Sequence, residues 1–469
     1  FTYTRTASPR FLWSASLSIT RTTPSFPTPN FTDPAVKFVD GLYEAFNSAG
    51  GSVMSAFGNL FQGHLNFEWT SPRHSVKWGV EARLNRDSTY FGISPNGEYD
   101  FGGGTVYSPE FIPSKSGLHN VQAGDPLPDT LSSLLVGYPY GYTIAVAPTY
   151  SSSGAHIGPA AISRNDVNAY VQDTWKINPH WALDYGLRYE VYTPIAERAR
   201  RTSSFLDAFP PAGRNQQYFI NPQPAYRSGW AGWGPRMQLS WNAPHALRAH
   251  AGGGITVIPP NLWQDNLLTG STPFAVYPRV NAAKGGEIAY GFQITSAELP
   301  QAYTPQGANI LASGDPKKVR PNTVMDVDRY QHDLAALAPG HQLSLLNLSA
   351  VDRKFGNAFL ETWTLGLERA FGGLTADAAY VGTATFRLPR MSYPNGYPGA
   401  DPGFAPYTDF DSSGMVTGGF GYEQVATATA HSSYHALQTS LAVTVGHGGP
   451  ALQAGYTWSK SLDDVSGMS

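Results

Sequence analysis

Apolar and polar side chains alternate with a period of two through much of the chain. In 61–70, Phe61, Gly63, Leu65, Phe67 and Trp69 fall on one side, and Gln62, His64, Asn66, Glu68 and Thr70 on the other. Successive side chains of a strand point to opposite faces, so this pattern predicts a strand with one apolar and one polar face. The next segment repeats it. Val76, Trp78, Val80, Ala82 and Leu84 alternate with Lys77, Gly79, Glu81, Arg83 and Asn85. Between the two lies Ser71-Pro72-Arg73-His74, a short polar turn, so the pair predicts a long-armed hairpin.

The same unit recurs along the chain. Trp13 to Ile19, Trp181 to Tyr189, Met237 to Trp241, Leu437 to Val445 and Leu452 to Trp458 all alternate, while 168–176 and 374–381 do so less cleanly. Four turns place Pro before a basic or imidazole side chain (Pro9-Arg10, Pro72-Arg73, Pro179-His180, Pro244-His245), and two are glycine turns, Gly372-Gly373 and 446–450. Six hairpins, or about twelve strands, follow. Their other ends are joined by long stretches rich in Gly, Pro, Asn, Ser and Tyr: about 21–57, 92–163, 194–232, 258–357 and 389–431. Structureless loops of that length are uncommon in compact soluble domains. Short turns at one end and long loops at the other are the layout of an outer-membrane β-barrel, with turns periplasmic and loops outside. The expected fold is all-β, a transmembrane antiparallel β-barrel, in one domain spanning 1–469.

Tryptophan placement adds a second signal. Trp13, Trp69, Trp78, Trp175, Trp181 and Trp241 sit within a few residues of a short turn, whereas Trp363 and Trp458 lie eight or nine residues from theirs. At about 3.3 Å per residue and a tilt near 45°, the second group is roughly 20 Å higher. Two aromatic levels so separated match the girdles at the two membrane interfaces. A soluble core is the other reading of these rings, but a soluble sandwich uses shorter strands and shorter connections.

Composition narrows the function classes. Charged residues make up 14% of the chain and the net charge is −3, which leaves no basic footprint for nucleic acid. No apolar run approaches the 18 or so residues of a spanning helix; the longest apolar-leaning runs, such as 131–138, are far too short. The absence of cysteine excludes a disulfide framework and a thiolate metal site. No signal peptide opens the chain, and Phe1-Thr2-Tyr3-Thr4 already reads as strand.

Motifs for chemistry are sparse. No His-Glu-x-x-His, phosphate-binding loop or Gly-x-Ser-x-Gly occurs, and no carboxylate pair stands out, so no catalytic residue, cofactor or metal site is expected. Gly252 and Gly254 read as strand glycines rather than a phosphate cradle. Asp409-Phe410-Asp411-Ser412-Ser413-Gly414 has an incomplete calcium-loop spacing and reads as a polar loop. Glu81, Arg83, Asp184, Arg188, Glu190, Arg236 and Arg248 fall on the polar faces, as a lumen wall whose charges either neutralise one another or touch a plug or solute. Candidate ligand contacts are the loop aromatics Trp263, Tyr393, Tyr397, Phe404, Tyr407 and Phe410, since rings can stack on a sugar or aromatic ligand; self-packing is the alternative.

The strand motifs carry a resemblance. Tyr170-Val171-Gln172-Asp173-Thr174-Trp175-Lys176, with Asn178-Pro179 and Leu183-Asp184-Tyr185-Gly186-Leu187-Arg188-Tyr189-Glu190, resembles the barrel of TonB-dependent receptors, nearest the Oar-like branch. Trp233-Gly234-Pro235-Arg236, Trp363 to Arg369 with Tyr380-Val381-Gly382, and Tyr434 to Gln438 with Tyr456 to Ser461 fit the same branch. Each motif is moderately specific, and their order across most of 1–469 is the stronger signal. The resemblance implies a 22-stranded barrel occluded by a plug, importing a scarce solute with energy delivered by TonB. The sequence departs from that pattern: it contains no plug, no TonB-contacting box and no carboxypeptidase-regulatory-like domain, and it stops at Gly467-Met468-Ser469 without a terminal aromatic. A partial barrel is therefore expected, about ten strands short, and alone it is expected neither to insert stably nor to transport.

The resemblance thus implies an outer-membrane importer of a siderophore, vitamin, glycan or peptide. Its expected partners are membrane lipid, the small solute, and the TonB complex through a plug. A passive pore or adhesin barrel is the alternative, and a secreted all-β carbohydrate-active enzyme a third reading.

Overall fold

The computed structural model describes the chain except residues 24, 27–32, 47–51, 95, 103–105, 109, 117–119, 147–159, 206, 211–215, 228–231, 261–265, 283–287, 397–404, 411, 413–415, 445–449 and 465–469. Twelve long strands dominate it: β1 (Thr2–Ser8), β2 (Phe11–Thr22), β3 (Ser52–Thr70), β4 (His74–Ile93), β5 (Ala160–Lys176), β6 (Trp181–Tyr192), β7 (Trp233–Ala243), β8 (Leu247–Ile258), β9 (Ala358–Phe371), β10 (Leu374–Ser392), β11 (Glu423–Thr444) and β12 (Ala451–Asp463). Each pairs antiparallel with its neighbours in chain order, giving one continuous meander. Among the described residues, β1 and β12 are each paired on one side only.

The turns are where the sequence places them. Ser71 accepts the backbone N–H of His74 on its Oγ at 3.0 Å. Asn178 Oδ1 accepts the N–H groups of His180 and Trp181 at 2.8 and 3.0 Å. At 244–246 the chain reverses with His245 and Ala246 both at positive φ, +61° and +55°. The sixth turn, 445–449, lies outside the described residues.

The register sorts the side chains onto two faces. Val80, Val167, Val171, Leu187, Met237, Leu365, Leu367, Leu437 and Leu441 share one face and are exposed. A continuous row of large exposed apolar groups is costly in water and favourable in lipid. Glu81, Asn168 and Glu190 share the opposite face and are buried.

The strands run further than the alternation predicts. β3 begins at Ser52, β4 reaches Ile93, and β11 begins at Glu423. The extra length lies at the end away from the turns. There the long connections, which the pattern presents as structureless, build a folded cap of their own. In a five-stranded sheet, Ala35–Phe38 pairs parallel with Glu98–Phe101. Gly141–Thr143, Arg279–Asn281 and Gln342–Leu343 follow in order. Ser203–Phe205, Tyr218–Ile220 and Thr323–Met325 form a second small sheet. Helices at Thr130–Val136 and Val327–Ala335 start on the caps Asp129 and Asp326, whose carboxylates accept from Ser132 N and Arg329 N. The apolar-leaning segment 131–138 is thus mostly helix.

The cap has the main apolar core of the molecule. Tyr99, Phe101, Tyr142, Ile220, Val276, Val280, Ile288 and Leu334 are fully buried there, together with Leu348 and with Val425 from the upper end of β11. Tyr99 and Tyr142 pack with ring centroids 5.0 Å apart. Burial pushes the Tyr218 hydroxyl up to about 12, although Ser203 and Ser271 hydrogen-bond to it.

Candidate functional site

The polar face holds an ion-pair network centred on Glu81. Its Oε1 accepts from Gln62 Nε2 and Arg83 Nε, both at 2.5 Å, and its Oε2 accepts from Asn168 Nδ2 and Arg188 Nη2, both at 3.2 Å. Arg188 also donates through Nε to Glu190. Strand register explains the convergence. Glu81 stands opposite His64 on β3 and Asn168 on β5, and Asn168 in turn stands opposite Glu190 on β6. Two carboxylates and two guanidiniums from β4 and β6 thus neutralise one another. Such a network is costly to break because each ion depends on the others for its hydrogen bonds.

Asp184 accepts from Thr174 Oγ1 at 2.5 Å. Arg248 is exposed and pairs with Glu368 at 3.1 Å. Arg236 has no ion-pair partner among the described residues. It borders two polar-face recesses: one of about 260 Å³ with Lys77, Tyr170, Gln172 and Arg188, and one of about 440 Å³ with Asp184, Gln238, Thr362 and Thr364. Gly252 and Gly254 floor the second recess. A Cβ on either would meet the Cβ of Gln238 or Arg236 at 2.9 or 3.0 Å. The two are strand residues opposite Gln238 and Arg236.

Sequence reasoning missed a second buried pair on this face. Arg164 is bidentate to Asp166 at 2.9 and 3.3 Å, and its Nη1 donates to the carbonyl of Pro260 at 2.7 Å, tying β5 to the 258–357 connection. The signal present was the spacing Arg164-x-Asp166-x-Asn168, polar at period two. Glu197 plays a similar part, accepting from Ala161 N, Ala199 N and Arg201 N.

The tryptophans expected at the two girdles all lie on the apolar face. Trp78 stacks with Phe67 (5.5 Å), Trp181 with Trp241 (5.4 Å) and Trp175 with His74 (5.8 Å), all near the turns. Trp13 packs against Tyr3 at 5.4 Å, and Trp69 stands opposite Phe11 and Val76. Trp363 lies over Gly382 beside His435, nine positions before the Gly372 turn. Trp458 stands opposite Leu437 and is 70% exposed on the edge strand β12.

The loop aromatics do not converge on one described cavity. Tyr393 stacks on Tyr422 at 5.2 Å. Asn395 fixes the loop beside Tyr407: its Oδ1 accepts from Tyr407 N at 2.8 Å, and its Nδ2 donates to Thr408, Phe420 and Gly421. Phe410 stands opposite Val416 in a short hairpin. Trp263, Tyr397 and Phe404 lie outside the described residues, as do Asp411, Ser413 and Gly414 of the incomplete calcium spacing. No grouping of three metal-ligating side chains occurs among the described residues.

The cap also buries titratable groups. Glu423 is fully buried where β11 enters the cap. Its Oε2 accepts from Gln216 Nε2 at 2.8 Å, and its Oε1 has no donor. Burial pushes this carboxyl up to about 8, opposed by the Gln216 hydrogen bond. Burial likewise raises Asp100, opposed by the Arg279 guanidinium 3.0 Å away.

A family model described as an outer membrane beta barrel domain matches residues 1–469. The chain belongs to that family. It is therefore an outer-membrane barrel protein of a Gram-negative bacterium, with its apolar face toward lipid. No curated protein matches the sequence. Among solved structures, the copper transporter OprC aligns at 10% identity and TM-score 0.43, covering 98% of this chain and 46% of that one. The ferric-catecholate import receptor Fiu from K12 E. coli aligns at 10% and 0.40 (99% and 46%), and the ferric citrate transporter FecA at 9% and 0.38 (99% and 42%). The chain spans a little under half the length of these three proteins.

Proposed function

We propose that this chain is the barrel portion of a TonB-dependent outer-membrane receptor that imports a scarce solute into the periplasm. The observation that carries the reading is the opposition of two faces on one twelve-stranded meander. An apolar belt lies on one side. On the other lies the hydrogen-bonded wall of Glu81, Arg83, Arg188 and Glu190, with Asp184, Arg236 and Arg248 beside it. The polar wall lines the lumen, where Arg236 is free to meet a plug or a solute. The tryptophans Trp13, Trp69, Trp78, Trp175, Trp181 and Trp241 mark the periplasmic interface, and Trp363 and Trp458 the outer one. The folded cap receives the solute. Its aromatics Trp263, Tyr393, Tyr397, Phe404, Tyr407 and Phe410 are the first residues to test for contact. The family motifs along β5, β6, β9 and β11 support energy coupling through a plug and TonB. The protein carries out no catalysis in this reading.

The test is uptake by the whole gene product in a host lacking its own receptors. Ferric siderophores, a cobalamin, oligosaccharides and peptides are supplied with TonB intact or deleted. Accumulation of one solute that requires TonB supports the reading. Equal uptake without TonB would replace it with a passive pore.

A further inference from the structure

On the lipid-facing side, one row of the strand register turns polar at the end away from the turns. Arg21 on β2, Asn59 on β3, Arg86 on β4 and Ser163 on β5 stand directly opposite one another. Each lies an even number of positions from the apolar residues of its own strand (Trp13, Phe67, Trp78 and Val171), so the row faces lipid and not the lumen. Asn59 is eleven positions from Thr70 and Arg86 twelve from His74, the turn-side ends of their strands. At about 3.3 Å per residue and a tilt near 45°, the row stands roughly 27 Å above the turns, at the outer edge of an apolar band about 25 Å tall. The apolar belt runs up to it. Ile19, Phe61 and Leu84 form the next row toward the turns, and all three are exposed.

Neither arginine has an ion-pair partner among the described residues. Arg21 is exposed and lies over the Phe57 ring, 5.3 Å from its centroid. Arg86 is anchored through Nη1, which donates to the Asn85 carbonyl at 2.7 Å and to the Arg164 carbonyl at 3.5 Å. That grip leaves its Nε and Nη2 without a protein acceptor among the described residues. Two strand spacings of about 4.8 Å separate the arginines, with the Asn59 amide between them. Two arginine side chains can close on one phosphate across that span, and guanidinium suits a phosphate because it donates in a planar fork. No carboxylate on this face of β2 to β5 competes for them nearby. Asp173 is the one carboxylate there among the described residues, ten positions from Ser163 toward the turns and paired with His74.

We propose that this row binds the phosphate of a phosphorylated glycolipid of the outer leaflet, of the lipid A type. Arg21 and Arg86 clamp the phosphate from either side, Asn59 donates its amide between them, and the acyl chains descend over Ile19, Phe61 and Leu84. A free phosphate would use the arginines and gain nothing from that apolar surface, so the lipid is the better occupant. The inference rests on the short turns facing the periplasm. It needs neither import nor TonB nor a plug, so it stands or falls apart from the transport reading.

The test uses the whole gene product in nanodiscs that carry lipid A or the same lipid with its phosphates removed, followed by stepwise delipidation and native mass spectrometry. One lipid A should persist after the bulk lipid is gone. The dephosphorylated lipid should be lost about 25-fold more readily, at about fivefold for each basic side chain facing an anionic lipid. Arg21→Gln and Arg86→Gln should each weaken retention of lipid A about fivefold, and the double variant should no longer distinguish the two lipids. Arg10→Gln, at a turn on the other side of the membrane, should leave retention unchanged. Heat-modifiable gel mobility checks the fold of each variant, and the wild-type comparison of the two lipids needs no variant. Equal retention of the two lipids by the wild type, a loss in Arg10→Gln as large as in Arg86→Gln, or displacement of lipid A by millimolar inorganic phosphate would overturn the proposal.

Discussion

Arg188 on β6 reaches across β5 to Glu81 on β4, with Nη2 3.2 Å from Oε2. That contact makes Glu81 the hub of the network, because Glu81 also holds Gln62, Arg83 and Asn168. Glu81→Gln should destabilise the folded barrel by about 1–3 kcal/mol, the cost of leaving buried polar partners unserved. Adding Arg188→Gln should cost less than the sum of the two single changes, since the partners share one network. Urea unfolding of the whole gene product in lipid, followed by tryptophan fluorescence, measures both. Strict additivity would mean that the two side chains act independently.

Trp181 and Trp241 test the apolar side in the same way. They stand directly opposite on β6 and β7, with rings 13° from parallel. The double-mutant cycle to alanine should show a coupling of about 0.5–1.5 kcal/mol beyond the loss of buried area. Both variants should also shift the depth of insertion, read by quenching with lipids brominated at defined carbons. A coupling near zero would mean that each ring is held by lipid alone.

The strands and turns were legible in the sequence because a half-buried strand repeats every two residues and each hairpin turn is local. Where the alternation is weak, a particular residue breaks it. Asp173 puts a carboxylate among Val167, Ala169, Val171 and Trp175 on the apolar face, and Ala379 and Val381 put apolar groups on the polar face of β10. The cap was not legible. Its strands are two to four residues long, and they join segments far apart in the chain, as Ala35–Phe38 does with Glu98–Phe101. No periodicity accumulates over so short a span. Of the candidate site, the parity of the charged wall could be read from spacing. Its hub at Glu81 could not, because that depends on register across four strands. Glu423 was equally hidden, being an isolated carboxylate whose burial comes from loops that fold over it.

That burial gives a pH dependence with a definite sign. Glu423 lies at the cap end of β11, beyond the membrane belt, and burial pushes its carboxyl up to about 8 from the ordinary 4.5 of a glutamate. The cap groups bearing on this site are Gln216, which donates to it, and Tyr407, which itself feels both Glu423 and Asp207. Between pH 4.5 and 8 the folded protein holds a proton that the unfolded chain releases. Stability is therefore full below about 4.5 and falls as pH rises toward 8, by at most about 1.4 kcal/mol per pH unit. Glu423→Gln should flatten that slope and raise cap stability at pH 8. Thermal unfolding at pH 5, 6.5 and 8 reads it, and a slope unchanged in the variant would assign the effect to another group.

The cap should also unfold separately from the strands beneath it. Its core centres on Tyr99, Phe101 and Tyr142 and takes in Val425 at the upper end of β11, whereas the twelve-stranded sheet is held by ladder hydrogen bonds and its two faces. Phe101 is fully buried against this core, its ring 6.4 Å from Phe38 and 6.3 Å from Tyr290. Phe101→Ala removes the ring and leaves a cavity that cap strands paired over only three or four residues cannot collapse around, at a cost of about 3–5 kcal/mol. The strand ladders of β3 to β6 do not touch that cavity, so their hydrogen bonds remain. Limited proteolysis of the variant in lipid should cut within 96–146 and 279–343 much faster than in the wild type, while far-ultraviolet dichroism and heat-modifiable gel mobility keep their wild-type values. Loss of gel mobility together with the cap would instead mean that cap and barrel fold as one cooperative unit.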